Sequence, residues 1–461
     1  MLVDRYEADK FFDEILKITT EIDPILLKID QVLEDEELYQ MIRNDMAKRY
    51  EKTTQTGRNS TPVEVVLRML AVKHLYKLSY EKTERYVKDS LALRQFCRVY
   101  FEKVPDDTTL IRWANQIQTE TLKAFNERLV SLATEMKVTK GRKLRTDGTV
   151  VESNIQSPRD SQLLVDSVRV IGRTLSRAKV ILKDQSDLVK ETFRNRIRSA
   201  RKLGRHISQQ MGKRTEQAKE AGVQGYKRLL ETVKMTIKQA NQVAETLKSQ
   251  SSAQAKRLQT TFETFIPRAE QVIDQATRRV LHGEQVPADE KIVSIFEPHT
   301  DIIRRKKAGK PVEFGHKVWF DEVEGGIVTD FRVLDGNPSD DTQWQPALDN
   351  HIRLFGRPPD QASADRGVHS GDNQILAQEL KVKRIILPKP GYKSKKQQQL
   401  EKQPWFIRGR RWHNGVEGRI SVLKRRHGLD RLPYHGQDGF QSGVAWGVIA
   451  NNCFSIAQHS L

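Results

Sequence analysis

Between residues 171 and 266 the chain holds no proline, no tryptophan and few other aromatics. Apolar residues recur there at spacings of three and four: Val180, Ile181 and Leu188, then Leu229, Leu230, Val233, Ile237 and Val243. A stretch this long with that period buries its apolar stripe as long amphipathic helices, so a helical hairpin or coiled-coil pair is expected. The flanks read differently. Residues 145–152, and the chain from about 290 onward, carry the period-two pattern of strands. A helical segment is thus inserted into an α/β chain, and the sheet must draw on strands from both sides of it.

The 461 residues allow about two to four domains. We read an acidic helical segment over 1–55, a helical block over 56–135, the first part of a core over 136–158, a basic helical insertion over 159–288, and the rest of the core over 289–461. The formal charge is +19, which favours nucleic acid or an anionic membrane surface as partner. No apolar run reaches the length of a spanning helix, and Met-Leu-Val-Asp-Arg-Tyr-Glu at the start lacks a leader's basic and apolar regions. Nucleic acid and a cytoplasmic, nucleoid-associated setting are therefore expected. Cys97 and Cys453, the only cysteines, are too few for a zinc site or disulfide framework and read as buried apolar side chains.

Charge is distributed unevenly. Residues 1–39 hold twelve Asp/Glu against four Lys/Arg, whereas residues 171–280 hold 24 Lys/Arg against ten Asp/Glu. Arg194, Arg196, Arg198, Arg201, Lys202 and Arg205 are dense enough for a phosphate-contacting face, with a solvated helix face as the alternative. The acidic segment, with Phe11, Ile15 and Ile18 at helical spacing, is expected to be solvated, or to contact a basic surface elsewhere in the chain or in a second protomer. Further helices are expected from Ser60-Thr61-Pro62-Val63-Glu64, with a hydroxyl cap, from Ser79, and from Asp107-Thr108-Thr109. Short helices at this spacing suit a helix-turn-helix-like DNA-binding domain, or an ordinary helical one.

Beyond the insertion, residues 316–320 and 327–334 flank Glu324-Gly325-Gly326 and read as a β-hairpin. A helix follows over 340–355, then a strand into Asp365, a helix at 372–380, a strand at 382–387, a Lys/Gln-rich loop at 393–403, and a basic helical segment around Glu417. With the insertion removed, this is the element order of an RNase H-like fold. In that fold the first and fourth strands are neighbours, so Asp147 and Asp365 are expected side by side, with Glu417 reaching them from a helix. Alternation puts Asp147, Thr149 and Val151 on one face of the first strand and Glu152 on the other. His413, Glu417, Ile420, Ser421 and Lys424 fall at helical spacings. Hard divalent cations take oxygen ligands, and two-metal phosphoryl transfer needs carboxylates brought together from different elements.

Here the residues reach a resemblance. Asp-Gly-Thr-Val-Val-Glu-Ser-Asn-Ile (147–155) resembles the first catalytic block of bacterial insertion-sequence DDE transposases. Ala364-Asp365-Arg366-Gly367-Val368-His369-Ser370 resembles the second. Glu417, six intervening residues and Lys424 resemble the end of their Tyr–Arg–Glu–Lys motif. Residues 311–317 and 424–431 are most similar to the ISNCY group, and residues 60–118 resemble the N-terminal helical domain of these enzymes. In that motif Arg410 stands at the tyrosine position and His413 at the arginine position.

The resemblance implies an α/β RNase H-like catalytic core with a long α-helical insertion and an all-α N-terminal DNA-binding domain. It implies that Asp147, Asp365 and Glu417 are catalytic and bind two Mg²⁺ ions, with Mn²⁺ expected to substitute. Double-stranded DNA is the implied partner, as terminal inverted repeats and as target, with a homodimer pairing two ends. Lys424, Arg419, Arg425 and Arg426 are expected on phosphates, with His413, Arg410, Lys317, Arg366 and His369 near the active edge. A second reading is an RNase H-like nuclease that cuts without joining; a third is a DNA-binding factor with a dead core.

Overall fold

A computed structural model describes residues 1–19, 22–182, 194–304 and 311–460. Leu188 and the side chain of Ile18 lie outside the described residues. The chain divides into two compact units, Met1–Asn154 with His316–Leu461, and Ile155–Gly315. Among the described residues no helix is long and apolar enough to cross a membrane.

In the first unit the sheet is built around β1 (Lys143–Ser153). On one side β1 adjoins β3 (Val312–Val323), which pairs antiparallel with β4 (Ile327–Leu334). The hairpin turn needs its glycine, because Gly325 has φ +81° and a Cβ there would lie 2.6 Å from the Val138 carbonyl oxygen. On the other side β1 pairs in parallel with β5 (Gln361–Ala364), and β5 with β6 (Arg384–Ile386). A short β7 (Arg431–Leu432) extends alongside the end of β1. Alternation sends Leu144 into a core with Trp319, Trp344 and Leu348, and Val151 into a different core with Phe320, Leu423 and Leu429.

That second core also takes in the N-terminal helices and the C-terminal helix Gly436–His459. Residues 1–55 and 56–135, expected as separate segments, therefore share their apolar interior with the sheet. Ser79 caps Tyr80–Asp89 and Asp106 caps Asp107–Ala114. Ser60 does not cap Val63–Leu75; its hydroxyl accepts from the Val3 amide at 3.1 Å. In helix Lys10–Thr19 the buried side chains are Phe12 and Leu16, while Phe11 is exposed. The acidic segment contacts a basic surface of the chain itself. Asp30 and Glu34 pair with Arg98, Asp30 also with buried Arg68, and Asp35 and Glu37 with Arg128. Partly buried guanidiniums need such partners, which is why the acids gather here.

The second unit contains the helices Asp160–Ile181, Ile197–Met211, Glu216–Lys248 and Ala253–Ala276. Leu229, Leu230, Val233, Ile237 and Val243 lie in its interior, as the three- and four-residue spacing requires, whereas Val180 of the same pattern is exposed. Residues 289–315, expected with the sheet, belong to this unit, where β2 (Asp301–Arg304) pairs antiparallel with the first residues of β3.

Candidate active site

Asp147 lies in the middle of β1 and Asp365 directly after β5, so the parallel register that matches Thr146 with Ala364 brings the two carboxylates into one locality. Asp147 points to the face that helix Gly415–His427 covers. Its Oδ1 accepts the amide of Gly148 at 2.7 Å. Burial, then the charge of Asp365, push the Asp147 carboxyl up to about 7, with the Gly148 amide and His413 opposing and Asp340 adding to the rise. Asp365 goes the other way. His413 Nε2 lies 3.1 Å from its Oδ1 and holds its carboxyl below the usual range, with help from Arg366. Two acids with opposed environments differ in proton affinity, which is the pattern of a functional pair.

Glu417 stands in the first turn of helix Gly415–His427 and is exposed. That helix runs along β1. A Cβ on Gly415 would clash with Arg145 Nη1, and Lys424 Nζ donates to the Val150 carbonyl at 2.6 Å. Glu417 is therefore level with the stretch of β1 around Asp147, at the rim rather than in the pair. Among the described residues no three His, Cys, Asp or Glu side chains gather closely enough to hold a metal ion. Asp147 and Asp365 are neighbours, and the expected meeting with Glu417 is not seen among the described residues. His413 is not on the Glu417 helix face either. The basic segment breaks at Asn414, and His413 ends the preceding helix, Pro404–His413. It is buried there, with Nδ1 lacking a hydrogen-bond partner.

Several of the residues expected on phosphates have partners within the fold. Arg419 donates to the buried carboxylate of Glu322 at 3.1 Å and to Asn451 at 2.9 Å. Lys317 pairs with Asp340 at 2.5 Å and donates to the Pro338 carbonyl. Lys424 is anchored on β1. Buried or half-buried cations need such partners, and all three have one within the fold. Arg426 lies over the Phe454 ring at 3.5 Å, and Arg425 Nε donates to Ser421 at 2.8 Å. Both are exposed, as are Arg366 and Arg410, while His369 is half-buried against Gln374. In the second unit Arg194, Arg198, Arg201, Lys202 and Arg205 are all exposed. The last four fall on one face of Ile197–Met211. Arg196 turns inward to Gln239.

Two groups were not singled out from the sequence. Asp340 packs against Gly367, where a Cβ would come within 2.9 Å of its Oδ2. Its setting, Asn337-Pro338-Ser339-Asp340, carries only the signature of a surface turn. Arg145 donates twice to Glu322, at 2.7 and 2.8 Å, and once to the Trp412 carbonyl at 2.6 Å, with its guanidinium 4.8 Å from the Trp412 ring centroid. It ties β1 to β3 and to the junction of the two basic helices. Its place two residues before Asp147, on the same strand face, was the available signal.

Asp147 and Asp365 offer carboxylate oxygens, the donor type that a hard divalent cation takes, in one locality. One consequence is measurable without DNA. Asp147 prefers its proton in the folded state, so its contribution to stability is full below about pH 4 and is lost as pH rises through about 7. Asp147→Asn is therefore expected to match the wild type near pH 4 and to gain on it up to pH 7, reaching about 2 kcal/mol after allowance for solvent screening. Calorimetric melting in chelator across this range measures it, and an equal offset at every pH would contradict the assignment.

Residues 14–116 match the family model of the transposase domain DUF772. The match covers the N-terminal helical part and ends before β1. No curated protein and no solved structure matches the chain significantly. The likeness of residues 14–116 to a transposase domain supports an insertion-sequence transposase.

Proposed function

We propose that this chain is a DDE transposase with an RNase H-like core, which cleaves DNA at the terminal inverted repeats of its element and joins the 3′-hydroxyl to target DNA. The observation that carries this reading is the pairing of Asp147 with Asp365 on parallel neighbours β1 and β5, in a chain whose N-terminal helices are a transposase domain. Asp147, Asp365 and Glu417 are the residues that would hold Mg²⁺. When bound, the metal would lower the pKa of the attacking water or hydroxyl and stabilise the leaving oxygen. The protein's own part is to hold the acids apart in proton affinity and in place. His413 keeps Asp365 ionised, Arg145 ties β1 to the basic helices, and Lys424 fixes the Glu417 helix against the strand. Exposed Arg366, Arg410, Arg425 and Arg426 would meet the DNA backbone, and two ends call for a homodimer. Loss of cleavage in chelator, with end binding retained, supports this reading over a DNA-binding factor with a dead core.

The basic face of Ile197–Met211 supports a second contact with DNA. Glutamate at Arg198, Arg201, Lys202 and Arg205 is expected to weaken end binding and to flatten its salt dependence by roughly 0.9 in log–log slope per lost phosphate contact. Binding titrations at several salt concentrations measure this, and an unchanged slope makes the face a solvated helix surface.

A further inference from the structure

The second unit contains a cavity of about 1140 Å³ that the carboxylate chemistry does not use. It opens between the start of helix Asp160–Ile181, the end of Ile197–Met211, the beginning of Glu216–Lys248 and residues 279–304. Arg159, Lys219, Arg279, Lys291 and Arg304 line it, against the acids Asp160 and Glu284. Arg279 is paired with Asp160 and Lys219 with Glu216 at 2.6 Å, so the excess rests on Arg159, Lys291 and Arg304. Asp160 is buried and already accepts from Arg279 at 2.7 Å and from Gln275 at 2.8 Å. Glu284 is bound by Arg278 at 2.9 Å.

Lys291 reports the local balance. Burial, and then Arg279 and Arg304, push its ammonium below the usual lysine range, with Asp160 opposing only in part. Cations left this close together gain most from an anion that enters between them. The lining also includes the apolar side chains of Ile207, Met211 and Val223 and the largely buried Tyr226. A cleft lined by both cations and apolar groups suits a ligand that has both phosphate and an organic group.

We propose that this cleft binds the phosphate groups of a nucleotide-bearing ligand, with Lys291 and Arg304 as the principal contacts. It is separate from the basic face of Ile197–Met211 and independent of the reading of Asp147 and Asp365, because its test measures binding and not cleavage. The phosphates come from a DNA strand or from a free nucleotide, and two arms separate these sources. The full chain carrying Lys291→Gln and Arg304→Gln is titrated against a labelled single-stranded oligonucleotide and, separately, against labelled ATP, with circular dichroism melting as the check on folding. Arg228→Gln with Lys234→Gln removes the same charge at exposed positions outside the cleft lining. The expected result is a loss of about tenfold or more in one arm, with a flatter salt dependence, and a much smaller loss in the control. Loss in the first arm identifies a strand, and loss in the second a free nucleotide. A folded variant that binds both probes as the wild type does, or a control that loses as much, overturns the proposal.

Discussion

Asparagine at Asp147 or Asp365, or glutamine at Glu417, is expected to reduce strand cleavage by about 10³-fold or more while end binding stays within a few-fold of wild type. Each change keeps shape and removes one charge that the proposed metal site requires. The three should differ in their side effects. Asp147→Asn relieves the repulsion with Asp365 and gains stability over the wild type as pH rises from about 4 through 7, as argued from its raised carboxyl. Asp365→Asn removes the partner that His413 holds at 3.1 Å and lowers the Asp147 carboxyl toward the usual range. Glu417 is exposed, so its loss should leave melting unchanged. Gel assays of cleavage and binding on the same preparation check all three, and normal cleavage by any variant removes that residue from the site.

The second large effect is on stability. Arg145→Met is expected to cost about 3–5 kcal/mol, because it leaves Glu322, 1% exposed, with Arg419 as its one remaining guanidinium. Pairing it with Glu322→Gln should recover part of the loss, since the stranded charge is then gone as well. The same substitution releases the Trp412 carbonyl and the close approach at Gly415, so it should also disturb the junction that places His413 and Glu417. Denaturant melts of both variants measure this. A loss under about 1 kcal/mol in Arg145→Met would mean that solvent already shares the ion pair.

Much of the sheet was legible because strands announce themselves by period two and by turn residues. Asp147, the Glu324-Gly325-Gly326 turn and the strand into Asp365 all stand where that pattern placed them. The parallel neighbourhood of β1 and β5 followed from element order. Other features depend on contacts that no local pattern encodes. Helix Lys395–Lys402 was read as a loop, since it has no buried residue and hence no apolar stripe; its Lys, Gln, Leu and Glu content was the signal. Asn414-Gly415 is a turn dipeptide inside a helical run. Weighing it would have split the basic segment and taken His413 off the Glu417 face. Phe11 and Phe12 are equally apolar, and only the packing of Phe12 against Tyr100 and Phe101 decides which is buried.

The acidic segment shows the same limit for charge. Its excess suggested a solvated face, yet Asp30, Asp35 and their neighbours satisfy Arg68, Arg98 and Arg128 within the transposase domain and just beyond it. Composition reports net charge, and only the fold reports which charges meet.

The most direct test of the central claim is strand joining. A duplex ending in the element's terminal repeat with a free 3′-hydroxyl is incubated with the full chain, target DNA and Mg²⁺, and covalent products are resolved on a denaturing gel. The account predicts that the labelled end is joined to target DNA, that chelator abolishes joining without releasing the DNA, and that Asp365→Asn behaves as the chelator does. Cutting of DNA with no joined product, or joining that persists in chelator or in Asp365→Asn, would contradict it.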